Sequence, residues 1–164
     1  MSRTSDLLLI GSFAAALRGI LPAWRNGWVG DVDFVATRAG AERLMAQFGW
    51  RLIEHAPDRC YCADRDGGMN LDVDLRGHLI DEVSRFAEPA TVVINGRHVH
   101  CLLSKPELIV ALRSVSRTLV PTAIDKADRD MAEYAQIELE SALISLAMTF
   151  RKPNRNPTME NVNA

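Results

Sequence analysis

Two segments of the chain set aspartates at every second position of otherwise apolar runs: Asp31-Val32-Asp33-Phe34-Val35 and Leu71-Asp72-Val73-Asp74-Leu75. Strict alternation is the period of a β-strand, whose successive side chains point to opposite faces. Each segment is therefore expected to be a strand with one apolar face and one acidic face. Asp31, Asp33 and Val35 share a side, and Asp72 and Asp74 share a side. Acids on strands that are otherwise buried cost free energy unless something neutralises them. A fold that contains both strands must supply that partner.

The remaining pattern fits around these strands. Leu7 to Ile10 is a continuous apolar run that ends at Gly11, as a buried strand would. Ser12 is expected to cap a helix whose stripe is Phe13, Ala16, Leu17 and Ile20. The stretch from Pro22 to Gly30 reads as a loop. Ala41 to Phe48 is expected to be a helix stopped by Gly49. Trp50 to His55 and Arg59 to Ala63 read as strands, and the residues Asp64 to Gly68 as a turn. Leu79 to Phe86 reads as a helix. Thr91 to Ile94 and His98 to Leu103 flank Asn95-Gly96, a hairpin signal.

From Ser104 the period becomes helical. Ser104 and Glu107 have capping-box spacing, and Leu108, Leu112 and Val115 form a stripe. Further helices are expected at 124–137 and 141–150. The polar, proline-interrupted tail at 151–164 predicts a mobile or partner-bound segment. The expected fold is α+β: a mixed β-sheet flanked by helices, then a C-terminal helical segment. It forms one domain over 1–150, sheet-rich at about 5–103 and helical at 104–150.

Composition removes several function classes. The 164 residues are 48% hydrophobic and 24% charged, with a net charge of −2. That balance gives no support for bulk nucleic-acid binding. No apolar run reaches the length of a membrane span. Gly11 and Ser12 interrupt the N-terminal apolar stretch, which reads as strand, turn and helix and not as an export signal. Three cysteines without framework spacing predict reduced thiols in the cytoplasm.

The acidic strands point to a cation. Two carboxylates at i and i+2 on one strand face repel, and a divalent metal relieves them. Magnesium is a hard cation that takes carboxylate oxygens together with substrate phosphates. Asp31 and Asp33, with Asp74 or else Asp72 from the later strand, would complete a two-metal site. Such a set suits nucleotidyl transfer, which asks mainly for positioning and charge neutralisation. Gly11 and Ser12 would bring backbone N–H groups and a hydroxyl toward a phosphate.

In these residues the chain resembles the nucleotidyltransferase superfamily with the polymerase-beta-like fold. The matching segments are LLLIGSFAAAL, GDVDFV and LDVDL, and more weakly SKPELIVALRSVSR with IDKADRDMAEY, so that the likeness spans roughly residues 7 to 137. It is closest to small bacterial and phage-type members. The resemblance implies an enzyme that moves a nucleoside monophosphate from a triphosphate to a hydroxyl of a protein, a small molecule or RNA. It implies Asp31, Asp33 and Asp74 as catalytic and metal-binding residues, with Asp72 as second choice among the ligands. Gly11, Ser12, Arg18 and Lys126 would contact the nucleotide, with Asp130 orienting Lys126.

Other readings were open. A fold relative without activity could serve as an antitoxin or as a phage or host assembly protein, and the C-terminal helices could build a homo-oligomer. Cys60, Cys62, His98, His100 and Cys101 could be imagined around zinc, although their spacing is not the usual one. The loop holding Trp24, Arg25 and Trp28 could be a lid or a base-stacking surface, or simply packed surface. Phe13, Trp50 and Phe86 were expected in the core, and Glu138 and Glu140 on a charged helix face.

Overall fold

Leu7–Ile10 (β1) is buried at all four positions, as its unbroken apolar run requires. It is an inner strand of a seven-stranded sheet. The others are Asp31–Ala36 (β2), Ile53–Ala56 (β3), Arg59–Cys62 (β4), Asn70–Asp74 (β5), Ala87–Ile94 (β6) and Arg97–Ser104 (β7). Their order is β3-β4-β5-β2-β1-β7-β6. β1 runs parallel to β7 and β2 parallel to β5, and the remaining neighbours are antiparallel. A computed structural model describes residues 6–49, 53–62, 68–119 and 124–151. Trp50, most of the expected 64–68 turn and nearly all of the 151–164 tail lie outside the described residues.

Alternation along the strands sorts side chains into two cores. On one face Leu7, Leu9, Val32, Phe34, Leu71 and Val73 pack with the helix Arg38–Phe48 (α2), through Ala41, Leu44, Met45 and Phe48. On the other face lie Leu8, Ile10, Val35 and Leu102. Three helices cover them: Ile80–Val83 (α3), Pro106–Leu119 (α4) and Ser141–Arg151 (α6). The expected α+β arrangement of a mixed sheet flanked by helices is what forms. A seven-residue helix, Gly11–Leu17 (α1), follows β1, and Ile124–Tyr134 (α5) lies between α4 and α6.

Local signals hold in some places. Thr37 caps α2 by accepting from the Gly40 N–H at 3.0 Å, and Gly49 ends it at φ +72°. Asn95 (φ 48°) and Gly96 (φ 77°) are both left-handed, as the tight hairpin turn demands. The Asn95 amide also exchanges two 2.9 Å hydrogen bonds with the backbone of Met69.

Other expectations are corrected. Ser12 does not cap α1, which begins at Gly11 with no side-chain cap. That helix ends at Leu17, so Ile20 lies beyond it, and it buries Phe13, Ala14 and Ala15 while Leu17 is exposed. Ser104 is the last residue of β7 and donates to the Leu9 carbonyl at 2.7 Å, so its hydroxyl holds the sheet and not a helix cap. The 79–86 segment is a four-residue helix between two 3₁₀ turns, with Phe86 half-buried. β6 begins at Ala87, earlier than its period suggested.

After β5 the chain folds back over the end of β2. A Cβ on Gly77 would fall 2.2 Å from the Thr37 nitrogen and 2.5 Å from the Ala36 carbonyl carbon. Those are backbone atoms of a central strand and cannot swing aside. Gly77→Ala is expected to destabilise the protein by about 3 kcal/mol, read as a lowered urea midpoint at unchanged m-value.

Burial pushes the Cys101 thiol from 9.0 up to about 12. Burial, reinforced by the nearby Asp130 carboxylate, pushes the Tyr134 hydroxyl from 10.0 up to about 12. Both groups hold their protons more tightly when folded than when unfolded. Their contribution to stability is therefore complete below pH 9.0 and is lost as pH rises toward about 12. The urea midpoint should fall steadily across that interval, and a flat profile would contradict the burial of these two groups.

Candidate active site

The two acidic strands lie side by side. β2 and β5 pair in parallel with Asp31 opposite Asn70, Asp33 opposite Asp72, and Val35 opposite Asp74. All six side chains belong to one sheet face, the face covered by α4 and α6 further along. Exposure falls along that row. Asp31 is exposed, Asp33 and Asp72 are half-buried, and Val35 and Asp74 are buried. The row therefore runs from solvent into the core, with two carboxylates in direct register at its midpoint.

A cavity of about 270 Å³ opens at that midpoint. Asp33, Asp72 and Asp74 line its sheet side together with Ile10, Gly11 and Ser12. Ile10 pairs with Asp33 across β1 and β2, which brings the β1–α1 turn to the acids. Gly11 sits at φ +76°, and a Cβ there would fall 2.5 Å from Asp33 Oδ2. Only glycine meets both demands, a left-handed backbone and contact with a carboxylate.

The carboxylates are in different electrostatic states. Asp74 is 6% exposed and receives the Arg76 guanidinium, from Nε at 3.0 Å to Oδ1 and from Nη2 at 2.7 Å to Oδ2. It also accepts the Arg76 backbone N–H at 3.0 Å. The same guanidinium donates to the Phe150 carbonyl, which ties α6 to the end of β5. The hydrogen bond to Asp74 leads the causes that raise the Arg76 pKa above its ordinary value. Asp74 is thus neutralised from within the protein.

Asp72 is not so served. Its Oδ1 is buried and accepts no hydrogen bond among the described residues. Arg59 Nη1 stands 3.7 Å from that oxygen, an ion-pair distance but too long for a hydrogen bond. The two observations agree: Arg59 attracts Asp72 through space and leaves a lone pair unmet. A buried acceptor in that condition costs on the order of 1–3 kcal/mol.

These facts rearrange the expected site. Asp74 was the first choice beside Asp33; the register sets Asp72 directly opposite Asp33, and Asp74 lines the same cavity further in, held by Arg76. Asp31 does not line the cavity, because it opens β2 at the exposed end of the row, roughly 7 Å of strand from Asp33. Gly11 and Ser12 do line it. Arg18 does not: its guanidinium donates to the carbonyls of Ser104 and Leu103 at 2.9 and 3.1 Å and pairs with Glu88 at 3.1 Å. Lys126 is exposed on α5, away from the lining. Asp130 lines the cavity but contacts Arg25, Arg113 and Trp24, not Lys126.

The residues imagined around zinc are spread apart. Cys60 and Cys101 are buried in the α2-side core, whereas His98 and His100 are exposed on the opposite face of β7. The Cys62 side chain lies outside what is described.

The helical wall was largely missed in the sequence. Arg113 extends from α4 and Tyr134 from α5 into the lining, beside Arg25 of the 22–30 loop. One signal for Arg113 exists: it stands four residues after Ile109, on the flank of the Leu108-Leu112-Val115 stripe. The loop itself is clamped to α5. Glu133 accepts the Ala23 and Trp24 backbone N–H groups at 2.7 and 3.3 Å. Trp24 lies between the Arg25 and Arg129 guanidinium groups, at 5.0 and 5.3 Å from its ring. Trp28 stays largely exposed, its ring folded over Gly30.

No family model matches the chain, and no curated protein matches it. Among solved structures it is similar to an antigenic nucleotidyltransferase-like protein from Paracoccidioides brasiliensis. The two share 16% identity at a TM-score of 0.48, over 95% of this chain and 83% of that one.

Proposed function

We propose that this chain is a magnesium-dependent nucleotidyltransferase whose metal-holding pair is Asp33 and Asp72. The observation that supports it is the direct register of these carboxylates beside Gly11, with Asp72 Oδ1 buried and lacking a hydrogen bond. A divalent cation fits that donor set: it would take the unmet lone pair and relieve the repulsion between the two acids. When bound, magnesium would neutralise the triphosphate of a nucleotide and lower the pKa of an attacking hydroxyl.

The chain's own residues would do the rest. Gly11 lets the backbone pass against Asp33, and Ser12 brings a hydroxyl donor to the same wall. Arg76 holds the Asp74 side chain in place at the end of β5. Asp31, at the open end of the row, would join as a ligand from the solvent side. In the reaction the acceptor oxygen forms a bond to the α-phosphorus while the bond to the β-phosphate bridging oxygen breaks. Pyrophosphate leaves, and the hydroxyl proton passes to an acidic group of the cavity. The acceptor is a hydroxyl of a protein, a small molecule or RNA. No described helix is long and apolar enough to cross a membrane.

One observation favours a second reading, a binding module without turnover. Arg76 holds Asp74 and Arg59 approaches Asp72, so arginines already offset part of the acidic charge. Incubation with labelled nucleoside triphosphates and magnesium separates the two. The enzymatic reading expects transfer by the wild type and background levels in Asp33→Asn and Asp72→Asn. Asp74→Asn is expected to lower activity by about 10- to 100-fold through loss of positioning. Background turnover in the wild type, or full turnover in Asp72→Asn, would defeat the assignment.

Thermal unfolding supplies an independent check. Saturating manganese or magnesium is expected to raise the Tm of the wild type, because a ligand that binds only the folded state stabilises it. The same additions should leave Asp33→Asn and Asp72→Asn unmoved.

A further inference from the structure

Asp130 of α5 is 1% exposed and is met by three side chains from two parts of the chain, the 22–30 loop and α4. Arg25 donates from Nε to Oδ1 at 3.1 Å and from Nη2 to Oδ2 at 2.8 Å. The Trp24 indole N–H reaches Oδ1 at 2.9 Å, and Arg113 Nε reaches Oδ2 at 2.8 Å. One carboxylate thus faces two guanidinium groups, which leaves a local excess of one positive charge. Burying that excess is costly unless an anion shares it.

The two arginines are not equally engaged. Arg25 is held at two corners, and its side chain is 6% exposed. Arg113 forms only the ion pair to Asp130 among the described residues, is 24% exposed, and lines the cavity. Neither of its Nη groups donates to a protein acceptor among the described residues. A guanidinium is a planar fork whose two Nη groups match the geometry of phosphate oxygens. A structural clasp between the 22–30 loop and α5 is already provided by Arg25 and Glu133, so Arg113 is surplus to it.

The cavity is therefore bipolar. Its sheet side carries Asp33, Asp72 and Asp74 with Arg59, and its helical side carries Arg25 and Arg113 with Asp130. We infer that Arg113, with Arg25 behind it and Asp130 as the positioning residue for both, forms an anion subsite that takes the oligophosphate of the ligand. The subsite acts through arginine alone and holds the anion without a divalent cation. The choice of phosphate over other anions rests on the nucleotidyltransferase reading, whereas the existence of the subsite does not.

Calorimetric titration with inorganic tripolyphosphate, in EDTA at low ionic strength, tests this. The wild type is expected to bind, and Arg113→Gln to bind about tenfold or more weakly. Arg113→Lys, which keeps the charge but loses the fork, should lie between them. Asp33→Asn should bind at least as well as the wild type, since it removes a negative charge from the facing wall. Asp130 stays paired with Arg25 in the Arg113 variants, so their urea midpoints should remain close to wild type. Absence of tripolyphosphate binding in the wild type, or equal affinity in wild type and Arg113→Gln, overturns the subsite. A wild type that binds tripolyphosphate through Arg113 yet transfers no nucleotide would uphold the subsite and refute the enzyme.

Discussion

Two carboxylates in direct register across a parallel strand pair oppose folding. Asp33 and Asp72 face each other on β2 and β5, on the side of the sheet that elsewhere packs Val35 and Leu8 against helices. Apolar residues there would pack better and repel less. The rest of the molecule is arranged around that conflict. Gly11 gives up its side chain to admit Asp33, Arg59 approaches Asp72, and α4 and α5 wall a cavity beside the pair. Departures from a self-consistent core are expected where a site needs them.

Three acids that line the cavity illustrate how burial and partners divide labour among identical groups. Asp74, furthest into the core, has a fixed arginine and three donors. Asp72, one register step outward, has an oxygen with no hydrogen bond. Asp130, on the facing wall, is saturated by Arg25, Arg113 and Trp24. Saturated carboxylates organise structure, and the unsatisfied one is where an external cation has most to offer.

Much of this was legible in the chain because it is local. The two-residue period of DVDFV and LDVDL located both acidic strands and the face they share, and Gly11 marked the turn after β1. Asn95-Gly96 marked its hairpin by the same kind of short-range chemistry. What stayed hidden depends on pairing between distant segments. Asp72 and Asp74 have the same parity, so period alone cannot separate them; only the offset of β5 against β2 does. Ser104 looked like a helix cap because the sequence does not reveal that Leu9 lies beside it. Arg25 and Asp130 are 105 positions apart and are joined only by tertiary folding. Lys126 came from the resemblance and Arg113 was not singled out, because which helix residue enters the cavity depends on how α4 and α5 turn toward the sheet.

A divalent cation proposed to seat between Asp33 and Asp72 beside the β1–α1 turn can be located directly. Amide resonances recorded while manganese is titrated at low occupancy report its place directly, through paramagnetic broadening that fades steeply with distance. Gly11, Ser12, Asp33 and Asp72 are expected to broaden first, while the Asn95-Gly96 hairpin keeps sharp lines. Broadening that begins elsewhere, or spreads evenly over exposed carboxylates, would contradict it.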